Sequence, residues 1–388
     1  MSAPWWRAFM PLDADRPEAT SDGMSRPRVR PRVAIVLFNL GGPDRPESIR
    51  PFLLNLFTDP AILRVPFFIR PLLARIIARA RVKPATANYA LLGGKSPLLE
   101  LTRQQATALE AATSDLGARC FIAMRYWHPF SLETARAVKA WDPDEVVLLP
   151  LYPHFSTTTT GSSLTAWREA AAQVGLVKPT ISVCCYPLDR AFIAATAAIT
   201  RRAYDDAREK LDPDVGLRIL FSAHGLPETI IAQGDPYQFQ MEQTVAAVIA
   251  ELGIDGLDGL VCYQSRATPQ RWIGPSTEEE IERAAHDKVA VLVVPIAFVS
   301  EHSETLVELD VEYREIAEKM GIPGYFRAPA QNADPGFIAA LAGLVRRARR
   351  HGTGLCSFDQ ARFCPATHRD CPHRTTATAK MLDLAEAA

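Results

Sequence analysis

Short runs rich in Val, Ile and Leu alternate along the chain with longer Ala-, Leu- and Glu-rich stretches, and this alternation restricts the fold more than any other feature. Strands are predicted over residues 33–39, 120–124, 145–151 and 180–184, and again over 218–222, 260–263 and 289–296. These runs are apolar at nearly every position rather than every second one, the pattern of parallel strands covered on both faces. Helices are predicted over residues 98–114, 164–173, 188–210, 238–252, 277–285 and 305–319. The expected fold class is α/β, with two doubly wound parallel-sheet domains.

The two halves echo each other. VVLLPLYPHF at residues 146–155 can be laid over VLVVPIAFVS at 291–300, with Pro150 over Pro295, and NLGGP at 39–43 over AHGLP at 223–227. The 388 residues accommodate such a pair. The expected division is a flexible tail over 1–32, a first domain over 33–187, a second over 188–350 and a further tail over 351–388. Ligand chemistry is expected in the cleft where the carboxyl ends of both sheets meet.

Composition removes several classes of function. Apolar residues make up 48 % of the chain, and 43 Lys and Arg face 44 Asp and Glu, which excludes wholesale disorder and a protein built to coat nucleic acid. No apolar run approaches the roughly 18–20 residues needed to span a bilayer. The first 32 residues lack the apolar core and cleavage site of a signal peptide, and the seven cysteines form no secreted disulfide framework, so a reducing, cytoplasmic setting is expected. Neither G-x-G-x-x-G nor G-x-x-x-x-G-K-[ST] occurs, and Pro43 lacks the N–H a phosphate would use, which disfavours nucleotide enzymes.

Four segments carry candidate chemistry. His224 closes a predicted strand in RILFSAHGLP, where an open sheet presents side chains to its ligand, although a hydrogen-bonded structural histidine is equally consistent with that position. Downstream, Glu301, Glu304, Glu308, Glu312 and Glu315 are spaced 3, 4, 4 and 3, so a helix would align them on one face. That line is either a solvated acidic face or a track drawing a divalent cation past His302 towards the cleft. In the first half, Arg125 with its aromatic neighbours, and the hydroxyl-rich LYPHFSTTTTGSS at 151–163, suit a large flat ligand with anionic edges, or else serve as caps and turns. Residues 61–83 hold six basic side chains and no acidic one among large apolar groups, either a lip resting on an anionic bilayer or one more packed helix.

Seven motifs occur in order: NLGGP at 39–43, YALLGGKSP at 89–97, RYWHP at 125–129, LYPHFSTTTTGSS at 151–163, FSAHGLP at 221–227, CYQSRATPQRWIGP at 262–275 and EHSETLVELDVEY at 301–313. Through them the chain resembles the ferrochelatases over roughly residues 33–350. The resemblance implies two Rossmann-like domains enclosing a porphyrin cleft, and insertion of ferrous iron into protoporphyrin IX with release of two protons at the end of haem formation. The alternatives are a coproporphyrin ferrochelatase and a non-catalytic haem or metal carrier. The resemblance places the catalytic and iron-binding roles on His224 and Glu304, and an acidic relay on Glu301, Glu308 and Glu312. Porphyrin contacts fall on Leu40, Arg81, Tyr89, Ser96, Arg125, Tyr152, Trp272, Phe298 and His302.

Leu40 stands where the family often has methionine or tyrosine, and Ala267, Thr268 and Pro269 replace a common V-G-P. The basic lip would meet an anionic membrane surface, placing a cytoplasmic monomer or homodimer at the periphery of the inner membrane. Some ferrochelatases hold a two-iron two-sulfur cluster on cysteines near the carboxyl end and one in the hydroxyl-rich loop. Here Cys356, Cys364 and Cys371 are spaced 8 and 7 apart and the loop position is Thr157. A cluster would therefore need Cys120, Cys184, Cys185, Cys262 or a histidine as fourth ligand; zinc or free thiols are the alternatives.

Overall fold

The computed structural model describes residues 31–265, 270–359 and 361–373. Most of the expected N-terminal tail, the turn at Ala267, Thr268 and Pro269, and residues 374–388 lie outside them. Strand β1 (Val33–Asn39) is buried at all seven positions. It lies between β2 (Ala118–Met124) and β3 (Glu145–Pro150), in parallel register with Val33 beside both Ala118 and Glu145. Each large aliphatic side chain buried there contributes roughly 1.5–3 kcal/mol, which explains the unbroken apolar run. β4 (Thr180–Val183) and β9 (Gly354–Cys356) complete a five-stranded sheet of order β2-β1-β3-β4-β9.

The second sheet repeats the winding. β5 (Leu217–His224) lies between β6 (Gly259–Gln264) and β7 (Ala290–Pro295), β8 (Tyr325–Arg327) adds an edge, and the order is β6-β5-β7-β8. All ladders are parallel. The two sheets share one core through two helices, α6 (Arg190–Glu209) and α11 (Pro335–His351). Phe192 meets Phe337 edge to face at 6.3 Å, and the cluster around them includes Leu149 of the first sheet and Ile219 of the second.

Ahead of the first sheet's helices, α1 (Ile49–Thr58) leads through residues 59–69 into α2 (Arg70–Leu91). The basic lip thus divides into a loop and the start of a 22-residue helix. The expected acidic helix is present in another form. Residues Glu304–Glu312 wind as a π-helix before α10 (Tyr313–Lys319). Its wider i→i+5 turn brings residues four apart closer to a single line than 3.6 residues per turn would.

Candidate functional site

A cavity of about 840 Å³ opens between the carboxyl ends of the two sheets, within the size range of small-molecule sites. Leu40 follows β1 and Tyr152 follows β3; His224 ends β5, Ser265 follows β6 and Phe298 follows β7, and all five line it. Arg81, Trp272, His302, Glu304, Glu308 and Glu312 complete the predicted residues found in its wall. Parallel sheets deliver these side chains to one place because every strand points the same way.

His224 is held on both sides. The Tyr237 hydroxyl donates to its carbonyl oxygen at 2.9 Å, and its Nδ1 lies 3.0 Å from Glu304 Oε2. Gly225 behind it has no room for a side chain, since a Cβ there would sit 2.9 Å from the Gln264 carbonyl oxygen and 3.3 Å from the Trp272 ring. Burial alone would lower the His224 pKa, but the charge and hydrogen bond of Glu304, with the charge of Glu308, outweigh it and raise the pKa above the ordinary imidazole value. Burial would likewise raise that of Glu304; His224 and His302 instead hold this carboxyl well below the usual range. Each group therefore favours the charged form of the other. His302 Nε2 is 3.9 Å from the same Glu304 oxygen, its ring packs on Phe298 at 4.4 Å, and desolvation keeps it below the ordinary value.

Along the π-helix the next carboxylate has the opposite character. Desolvation and the neighbouring Glu304 charge raise the Glu308 pKa. Its oxygens accept hydrogen bonds from Gln264 Nε2 at 3.0 Å, the Ser265 hydroxyl at 2.6 Å and the Tyr313 hydroxyl at 3.1 Å. Ser265 adopts φ 67°, a strained left-handed conformation that costs on the order of 1 kcal/mol. Farther out, Asn88 Nδ2 reaches Glu312 at 3.4 Å.

Glu301, grouped with these carboxylates on spacing, lies before the π-helix and outside the cavity wall. Its oxygens accept from Arg327 Nη1 and the Ala330 N–H, both at 2.9 Å, and from the Thr305 hydroxyl. Glu301 is an anchor.

Three expected porphyrin contacts are also displaced from the wall. Arg125 Nη2 pairs with buried Asp59 at 2.7 Å and its Nε donates to Ser162 at 2.6 Å, so its charge is spent fastening the lip loop. Tyr89 is buried among the α1 and α2 side chains and hydrogen-bonds Ser303. Ser96 packs directly beneath Gly42, where a Cβ would come within 2.5 Å of it. Spacing carried no signal for these pairings, nor for Gln264, Ser265 and Asn88, which hold the acidic line. His154 lies in the cavity wall but is buried beside Thr244 at 2.9 Å, and desolvation lowers its pKa to about 3, which keeps it neutral.

A second cluster lies apart from the cavity. β9 pairs with β4 so that the Cys184 N–H donates to the Cys356 carbonyl at 2.8 Å, and Cys184 Sγ is 3.4 Å from Cys185 Sγ. Gln240 Nε2 reaches Cys364 Sγ at 3.1 Å and Cys185 Sγ at 3.7 Å, while Cys371 hydrogen-bonds Cys364. All five sulfur-bearing residues are buried, whereas Cys120 and Cys262 lie elsewhere in the two sheets. Among the described residues no group of three or more His, Cys, Asp or Glu side chains is placed to hold a metal ion.

Twin parallel sheets around an apolar cleft, with an imidazole–carboxylate pair in its wall, define an enzyme of the metal-chelatase type. The ferrochelatase family model matches residues 32–349. The chain is 52 % identical over 352 residues to the ferrochelatase of Caulobacter vibrioides, covering 90 % of this chain and 99 % of that protein. It is 48 % identical to that of Phenylobacterium zucineum over 90 % and 100 % of the respective lengths, and 45 % identical to that of Rickettsia bellii over 88 % and 94 %. The chain belongs to the ferrochelatase family. Its reaction is the insertion of ferrous iron into protoporphyrin IX to give haem, with iron as substrate. A non-catalytic carrier is thereby set aside.

Proposed function

We propose that His224 and Glu304 together take the pyrrole protons and meet the incoming iron, and that Glu308 and Glu312 lead protons outward. Insertion requires two N–H protons to leave the macrocycle while Fe²⁺ loses water. A base in the cavity wall lowers that barrier only if it is unprotonated when the porphyrin is bound. The 3.0 Å contact between His224 Nδ1 and Glu304 Oε2 carries this reading, because a proton taken up by the imidazole can be shared with the carboxylate. That proton must move on before His224 can accept another, and the raised Glu308 pKa makes that carboxylate a receptive neighbour. His302 orients Glu304. Arg81 is the one Lys or Arg among the described lining residues, which suits a macrocycle with two propionates better than one with four. The test is the turnover and pH dependence of His224 and Glu304 variants.

The lip supplies membrane contact at the periphery of the cytoplasmic face. Phe67 is 78 % exposed and Phe68 69 %, with Leu72 and Ile76 also exposed beside the exposed Arg75 and Arg79. Arg70, by contrast, donates to the Leu63 and Val65 carbonyls at 3.1 and 2.9 Å and shapes the loop. Among the described residues no helix is long and apolar enough to cross a membrane. Burying an aromatic ring is worth roughly 1.5–3 kcal/mol, and each nearby basic residue about 1 kcal/mol. F67S/F68S/R75Q/R79Q should therefore bind anionic vesicles at least about a hundredfold more weakly, with detergent-assayed turnover near normal. Equal binding by both proteins would mean that the lip does not face lipid.

The thiol cluster fits an iron–sulfur centre in kind, being buried sulfur donors from both tail and sheet. Cys356, Cys364 and Cys371, with Cys184 or Cys185 as fourth ligand, would hold a two-iron two-sulfur cluster, whose chemistry when bound is one-electron transfer. Burial raises the Cys356 pKa to about 12, so assembly must release thiol protons. Protein prepared anaerobically without porphyrin should absorb above about 400 nm and contain iron and acid-labile sulfide. Colourless protein lacking both would end this reading.

A further inference from the structure

Arg64 lies on the lip loop beside Ile62 and Leu63, which line the cavity, and its side chain crosses to the opposite wall. Its Nη2 donates to the Thr157 hydroxyl at 2.7 Å and its Nη1 to Gln233, just beyond α7 (Glu228–Ala232). The single hydroxyl hydrogen of Thr157 is directed at Asp235 Oδ2, 2.7 Å away, so Thr157 accepts from Arg64 and donates to Asp235 at once. Asp235 is wholly buried, also receives the Thr157 N–H at 2.8 Å and the Ser156 hydroxyl at 3.0 Å, and has no ion pair among the described residues. An exposed cation and a buried anion are thus joined through one hydroxyl.

We propose that Arg64, Thr157 and Asp235 form a latch across the cavity mouth, with Arg64 a positioning residue that holds the lip closed over the porphyrin. The two halves differ in permanence. The Asp235 half is buried and multiply bonded, and losing those bonds would strand a carboxylate. The Arg64 half is exposed and bonded to neutral partners, so exchanging them for water costs little and can occur in every cycle. The lip loop is pinned at its start by Asp59, which pairs with Arg125, and at its end by Arg70, which leaves Arg64 as the element able to let go. Opening it lets a flat macrocycle enter beside Ile230 and lets haem leave.

The inference rests on the cavity being the porphyrin site. Stopped-flow fluorescence of protoporphyrin release, with kcat and KM, tests it in R64A, T157V, T157S and R64A/T157V, using F298A to report on the cavity itself. R64A and T157V should each speed release and raise KM about tenfold with kcat within about twofold of wild type. T157S should retain wild-type values, and the double variant should add little to either single one, as linked groups do. For R64A and T157S, thermal midpoints within a degree or so of wild type would separate a latch from a structural prop, whereas T157V also takes a hydrogen bond from buried Asp235 and should melt a few degrees lower. Wild-type release by R64A, or full additivity in the double variant, would overturn the latch. Unchanged porphyrin affinity in F298A would instead show that the macrocycle binds elsewhere, overturning the latch by removing its site.

Discussion

H224A is expected to lose at least about a hundredfold in turnover while porphyrin affinity changes little. Removal of a group that moves a proton in the transition state costs about 10²- to 10⁴-fold, and a loss confined to kcat marks chemistry rather than binding. E304Q should fall similarly, because it removes the partner 3.0 Å from His224 Nδ1, and it should also shift the pH profile in a defined direction. His224 acts as acceptor only when unprotonated, so kcat/KM falls as pH drops through its pKa, which Glu304 holds above the ordinary imidazole value. Without that charge, desolvation draws the pKa down and residual activity should persist to lower pH. E315Q, on the exposed face of α10 with its carboxylate on Lys319, should lose less than about threefold, an ordinary surface effect. Near-normal turnover by a folded H224A would remove His224 from the reaction. His302 would then be the next acceptor to test, since His154, though it lines the cavity, is a weak base with its pKa lowered to about 3.

The second large effect concerns Arg327. Its Nε and Nη2 grip both oxygens of Asp310 at 2.6 and 2.7 Å, and its Nη1 holds Glu301 at 2.9 Å. Arg327 and Glu301 are each only 11 % exposed. R327A would leave Glu301 enclosed and unpaired, and breaking one side of such a pair typically costs about 3–5 kcal/mol. Its thermal midpoint should fall by several degrees. R327K should recover only part, since an ammonium cannot match a bidentate guanidinium. Because Glu301 precedes His302 and Asp310 lies within the π-helix, turnover should drop even below the unfolding transition. An unchanged midpoint in R327A would show that Glu301 is not buried as described.

Most strands were legible because burial on both faces leaves no alternative to an unbroken apolar run. β8 and β9, three residues each at sheet edges, are too short to leave such a run, and α4 (Ser131–Trp141) and α11 were likewise not anticipated. Within the site, His224 and Glu304 were reachable because each sits where a strand or helix begins or ends, positions with chemical meaning in an open sheet. The pairing of Arg125 was hidden for the converse reason. An arginine after a strand looks available until the distant Asp59 is brought against it. The π-helical winding was equally invisible, since carboxylates spaced four apart fit two helix types and only the backbone hydrogen bonds distinguish them. Spacing of the tail cysteines said nothing of β9, whose pairing with β4 brings Cys356 beside Cys184.

That same strand sets the order in which the protein can be assembled. β5, β6, β7 and β8 all come from one continuous stretch, so the second sheet can close as soon as Arg327 has been made. The first sheet cannot, because its outermost strand follows all of the second in the chain. At about 5–20 residues per second during synthesis, β4 keeps an unpaired edge for on the order of ten seconds after it emerges. An open edge of that kind invites pairing with other chains, so the interval before Gly354–Cys356 arrives is when the nascent protein is most exposed to misassembly.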